Sequence, residues 1–314
     1  VLIALMALFK TYLGSIIDDK VWKGIAEGLN YGLGFMVIFM LHFTVATKQP
    51  AMTAARFAEA VEKTPQGKTV NMKLAQLLVD VFRSQSIAVL GNVLIAMGLA
   101  ALIAFSYQYK TGEPLMNADQ IAYQLHSIDP FAGTLWFAAI AGVWLFCSGI
   151  ISGYFDNRSN YLNMRMRLAQ HPLLKKLMSE KTRVKFANYM HENYGSLIGN
   201  LCFGMLLGIT GVVGYLTHLP LDIRHVAFSS ANVGYIAVSG HFTYSLLLQC
   251  IGFVLLIGLV NLIVSFSLTL WVALRSLNAE IDSWWPIWHE VCQIVKKRPL
   301  SLFLPVQLDK YSSK

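Results

Sequence analysis

Long runs without a single charge constrain this chain more than any other feature. Residues 86–107, 131–155, 196–217 and 244–274 contain no Asp, Glu, Lys or Arg over 22, 25, 22 and 31 positions. A helix needs about 20 mostly apolar residues to cross a hydrocarbon core of about 30 Å. Residues 29–47 form a fifth such run, interrupted only by His42, and residues 1–17 a sixth that holds Lys10. Together the six runs cover 136 residues and hold one of the 42 charges. None alternates with period 2, and each is too long for a strand. In lipid a helix satisfies its own backbone, so helices are predicted. Composition agrees: 13% of residues are charged, where a soluble domain carries about 25%. Too few charges remain for a water-facing surface, which excludes most soluble enzyme classes, disordered chains and disulfide scaffolds.

The links between runs fix an expected orientation. Lys plus Arg number 6, 1, 8, 1 and 6 in residues 48–85, 108–130, 156–195, 218–243 and 275–314. Short loops rich in Lys and Arg stay in the cytoplasm, so this alternation places the three basic links and the C-terminus there. The expected fold is all-α, a polytopic membrane protein with five or six transmembrane helices and amphipathic cytoplasmic helices. Residues 1–28 form an N-terminal apolar helix, spanning or in-plane, and a short outer loop. Residues 29–274 form the bundle, with cytoplasmic helices at 48–85 and 156–195 and a re-entrant or interfacial segment at 226–238, too short to span. Residues 275–314 form an interfacial tail, whose Trp284, Trp285 and Trp288 precede Lys296, Lys297 and Arg298. The location expected is a bacterial inner membrane.

Several constellations bear on function. Glycines recur four apart at Gly24, Gly28 and Gly32, at Gly149 and Gly153, at Gly195 and Gly199, and at Gly204 and Gly208. That spacing lets helix backbones approach closely. Asn92, Asn200, Gln249 and Asn261 lie within runs and read as interhelical hydrogen-bond partners. Acidic groups are absent from the runs, which argues against an ion-coupled pump. His218, Asp222, His225 and His241 match no metal spacing, and an Asp222–Arg224 turn pair is the preferred reading. Cys147, Cys202, Cys250 and Cys292 form no zinc or disulfide pattern. No P-loop, dinucleotide fingerprint, G-x-S-x-G or H-E-x-x-H is present. No catalytic residue, metal or cofactor is therefore assigned. The cations Arg158, Arg165, Arg167, Lys175, Lys176, Lys181, Lys296, Lys297 and Arg298 are candidates for anionic headgroups or a protein partner. Nucleic acid would be attracted by the same charges, but membrane topology already demands them.

Two stretches resemble a known family. One is Gly153-Tyr154-Phe155-Asp156-Asn157-Arg158, continuing to Ala169-Gln170-His171. The other starts at Gly199-Asn200-Leu201-Cys202-Phe203-Gly204 and runs to Leu219-Pro220-Leu221-Asp222-Ile223-Arg224-His225. They are similar to a family of bacterial polytopic membrane proteins labelled "site-specific recombinase", most densely over residues 149–240. Its members are generally longer, so the chain resembles their C-terminal part. The resemblance makes Asp156, Asn157, Asn200, Pro220, Asp222, Arg224 and His225 structural candidates. It implies strand exchange only through the label. A tyrosine recombinase needs a His-x-x-Arg cluster around its nucleophile, and no His here has Arg three residues on. The expected function is a non-enzymatic membrane component, a scaffold, a lipid-binding protein or part of a complex, with lipids, a protein partner or a second copy as its contacts. The alternatives are the recombinase of the label and a small-molecule or lipid transporter.

Overall fold

The computed structural model describes residues 2–43, 54, 57–61, 68–239, 242–278, 281 and 283–302. Eleven helices longer than one turn are resolved among them. They are α1 (Leu2–Ile16), α2 (Lys20–Met40), α3 (Lys68–Thr111), α4 (Ala118–Ile128), α5 (Thr134–Tyr161), α6 (Met164–Gln170), α7 (Pro172–Leu177), α8 (Glu180–Thr217), α9 (Val226–Ala237), α10 (Tyr244–Ser276) and α11 (Trp285–Lys297). No strand occurs among the described residues. Most of the segment 48–67, His241 and the tail beyond 302 lie outside them; within the expected cytoplasmic helices of 48–85, residues 54, 57–61 and 68–85 are described and are helical.

Among the described residues four helices are long and apolar enough to cross a membrane: α3, α5, α8 and α10. In their most apolar stretches only 28% of α3 and of α10 is buried by protein, against 56% of α8. The rest is an apolar outer face that includes Leu94, Leu102, Phe105 and Ile263. Apolar surface this extensive needs hydrocarbon as its solvent. The chain is an all-helical membrane protein.

The charge-free runs understate the helices. The run at 86–107 lies inside a helix of 44 residues, and the run at 196–217 inside one of 38. A missing charge marks hydrocarbon depth, whereas a helix continues until a cap or breaker stops it. Ser179 opens α8 by accepting from the Thr182 amide, and His218 closes it in the left-handed region (φ 54). Between α5 and α8 the chain breaks at Asn163 (φ 48), at the His171–Pro172 step and at Met178–Ser179.

Antiparallel α5 and α8 pack through small residues. Ser152 Oγ donates to the Gly195 carbonyl at 2.7 Å, and Trp144 Nε1 donates to Thr210 Oγ1 at 2.7 Å. α2 runs antiparallel to α8 on its other side. Gly24 meets Val212, Gly28 meets Met205, and Gly32 meets Leu201 and Gly204. A Cβ on Gly32 would stand 2.7 Å from the Leu201 carbonyl oxygen, and one on Gly208 would overlap the Gly28 backbone. α10 runs parallel to α5, with Gly142 against Val264. At the end where α3 and α8 begin and α5 and α10 finish, α11 seats Ile287 against Leu74, Leu270 and Phe57. The cations of α6, α7, the start of α8 and α11 share this basic end.

At the opposite end the chain turns back into the bundle after α8. Residues 218–225 are extended along the first turn of α5, where the Arg224 amide donates to the Phe137 carbonyl at 3.2 Å. α9 then begins deep in the protein. Val226 lies against Gly258, while Gly234 lies against Met97 and Ala100. Ten of its twelve residues are buried.

Candidate functional site

The returning segment needs partners for backbone that leaves regular structure inside the protein. Asn261 of α10 supplies them. Its Oδ1 accepts from the Val226 amide at 3.1 Å, and its Nδ2 donates to the carbonyls of Ala138 (2.7 Å) and Arg224 (3.0 Å). One side chain thus joins α10, α5 and the start of α9. Arg224 fixes the extended segment above. Its guanidinium donates to the Ser127 carbonyl (2.8 Å), the Ile223 carbonyl (2.8 Å) and Asp222 Oδ2 (2.6 Å).

Above this segment lies a cavity of about 550 Å³, open at the end opposite the basic one. Its walls come from α1, α2, α4, the returning segment and α9. Asp19 caps α2 through the Val21 and Trp22 amides, and an Asn117–Gln120 capping box starts α4. Among the described residues its lining has three cations, Lys10, Lys23 and Arg224, and three carboxylates, Glu27, Asp119 and Asp222. Lys10 Nζ lies 3.6 Å from Glu27 Oε2 and 5.7 Å from the centre of the Tyr31 ring.

His225 and Tyr31 form the floor. The His225 ring is ringed by Phe203, Phe228 and Phe35 at 5.5, 6.0 and 6.1 Å between centroids. Its Nδ1 and the Tyr31 hydroxyl are buried without a hydrogen-bond partner among the described residues. Below His225 is a second, smaller cavity of about 70 Å³, mainly apolar, with Gln85, Asn92, Asn261 and Ser265 as polar groups in its lining. His225 lines both.

The sequence-derived candidates divide between the two ends. Asp222, Arg224 and His225 build the cavity, and the Pro220 carbonyl accepts from Trp136 Nε1 at 3.3 Å beside it. Asp156 is remote from it and accepts from the Gly195 amide at 3.0 Å, where α5 and α8 touch. Asn157 is exposed at the same end. Asn200 is buried in α8, donates to the Ser196 carbonyl and lines neither cavity. Arg158, Arg165, Arg167, Lys175, Lys176, Lys181, Lys296, Lys297 and Arg298 are all exposed. Arg165 pairs with Glu192 at 3.4 Å, and Arg158 reaches the Tyr154 hydroxyl at 3.4 Å. No three His, Cys, Asp or Glu side chains stand close enough to hold a metal among the described residues.

The absence of acidic groups from the charge-free runs is misleading about the interior. Glu27, Asp222 and Lys10 reach it from α2, the returning segment and α1. Lys10, Glu27 and Tyr31 were not legible as a site, because only the folded topology sets them beside His225. The available signals were a lysine inside an apolar run and a glutamate next to Gly28.

Neither a curated protein nor a solved structure matches the chain. A family model described as "Site-specific recombinase" matches residues 1–305, which takes in both the returning segment and the basic end. By that coverage the chain belongs to the site-specific recombinase family.

Proposed function

We propose that this is an inner-membrane protein of a bacterium that admits a small polar solute to a site halfway across its bundle. On this reading the basic end and the C-terminus are cytoplasmic, because cations in short loops stay on that side. The cavity then opens away from the cytoplasm. α2 counts as a fifth membrane helix, since it follows the apolar part of α8 through their shared glycine seam. α1 has 15 residues, about 22 Å of helix, too short to cross. It is a half-depth helix whose Leu5, Phe9, Tyr12 and Ile16 face lipid. The exposed cations and Trp285 and Trp288 at the other end contact headgroups, the cations favouring anionic ones.

One observation carries the reading: a charged cavity enters the bundle from one end and stops at His225, with a second cavity beyond it. Irregular backbone at membrane depth is tolerated where it is packed in protein or lines a water-filled space. Transporters place solute sites at such interruptions. The test uses single cysteines in a chain whose four native cysteines are replaced by alanine. Asn232→Cys, on the cavity wall, is expected to react in intact cells with a membrane-impermeant maleimide. Asn92→Cys, beyond His225, is expected to react slowly, and faster once His225→Ala is added. An Asn232→Cys that resists the reagent in both intact and permeabilised cells would refute the cavity.

The family description favours a second reading, strand exchange on DNA, with the basic end as the contact. Purified protein that forms a covalent adduct with supercoiled plasmid would establish it.

A further inference from the structure

Three buried side-chain polar atoms lack a hydrogen-bond partner among the described residues, and two of them, Tyr31 Oη and His225 Nδ1, share the floor of the larger cavity. An unpaired buried polar group costs about 1–3 kcal/mol, and folded proteins keep few. Both atoms are closed to solvent, with Lys10 beside the Tyr31 hydroxyl, so the charged walls above them are what an occupant would meet.

The walls specify its charge. Arg224 gives its Nε and Nη1 to the Ser127 and Ile223 carbonyls and to Asp222 Oδ2, and Asp222 Oδ1 accepts from the Ile223 amide, so this pair holds the returning segment in place. Lys10 and Glu27 differ. At 3.6 Å they attract but stand outside hydrogen-bond distance, and neither is spent on the other. An ammonium has three donors and a carboxylate about four acceptor sites, so each retains capacity toward a solute. Lys23 and Asp119 line the same cavity with one further charge of each sign. A lining with equal numbers of both signs gives a simple anion or cation no net attraction. It suits a molecule carrying both charges. The tilted Tyr31–Phe228 pair, 4.4 Å between ring centres, offers an apolar wall for the rest of it. The volume lies within the range of about 300–1,000 Å³ usual for small-molecule sites.

We infer that the cavity binds a zwitterion, a solute whose anionic group meets Lys10 and whose ammonium meets Glu27, above the Tyr31 hydroxyl and His225 Nδ1. The inference rests on the cavity being the working site. An ammonium next to an acid group occurs both in free amino acids and in phosphatidylethanolamine headgroups, and the experiment separates these sources.

The protein carrying Asn232→Cys is placed in nanodiscs of phosphatidylglycerol, which has no zwitterionic headgroup. Maleimide labelling is timed with L-alanine, L-leucine, alaninamide and N-acetylalanine. At about ten times its Kd a free amino acid is expected to slow labelling about tenfold. Alaninamide, a cation, and N-acetylalanine, an anion, are expected to leave the rate unchanged. Lys10→Gln and Glu27→Gln should abolish protection, and the exchange Lys10→Glu with Glu27→Lys should restore it. The comparison of the four compounds on the Asn232→Cys protein stands even if these variants fail to fold. Protection by nanodiscs containing phosphatidylethanolamine, without protection by amino acids, would assign the zwitterion to lipid. Equal protection by the singly charged analogues, or none by any zwitterion, would overturn the inference. A cysteine that never labels would instead remove the cavity itself.

Discussion

Asn261 shows how much of this fold depends on single polar side chains. It binds one amide and two carbonyls from two distant parts of the chain, and it is buried in the middle of α10. Replacement by leucine keeps the volume but leaves the Val226 amide unpaired in a water-poor interior. The expected loss for Asn261→Leu is about 2–4 kcal/mol, read as a lower thermal midpoint in detergent. That Asn261 is a hydrogen-bonding residue was legible from its place in an apolar run. Which backbone it serves was not, because its partners lie 35, 37 and 123 positions away.

At the scale of elements the glycines separate into two kinds. Gly204 and Gly208 of α8 touch the backbone of α2, whereas Gly91 and Gly98 of α3 face open space. Gly208→Ala drives a methyl group into the Gly28 backbone and should lower the thermal midpoint and loosen α2. Gly98→Ala has room, and the helix gains about 1 kcal/mol from the better helix former. A differential scan of both variants checks this, and equal effects would contradict the seam. The four-residue spacing at positions 24–32 and 204–208 was visible in the sequence. Their pairing with each other was not, since the spacing names a surface that can approach closely and leaves its partner open. The same limit explains why α3 and α8 outrun their charge-free stretches. Lys73 and Arg83 continue α3 past the apolar run, because charged residues are as helical as apolar ones where water is available.

The whole molecule is polarised, with exposed cations at one end and a cavity of balanced charge entering from the other. The runs without charge revealed the membrane helices because hydrocarbon tolerates little else. The cavity stayed hidden because its charges come from α1, α2, α4 and the returning segment, which only the completed bundle brings together. Family membership extends from the densest resemblance at 149–240 to residues 1–305 and leaves the chemistry to be established by the site. The most direct test of this polarity is compartment-specific labelling of two single cysteines, Lys175→Cys on α7 and Asn232→Cys on the cavity wall, in intact and then permeabilised cells. Asn232→Cys should react before permeabilisation and Lys175→Cys only after it. Reaction of both from the same compartment would contradict the arrangement.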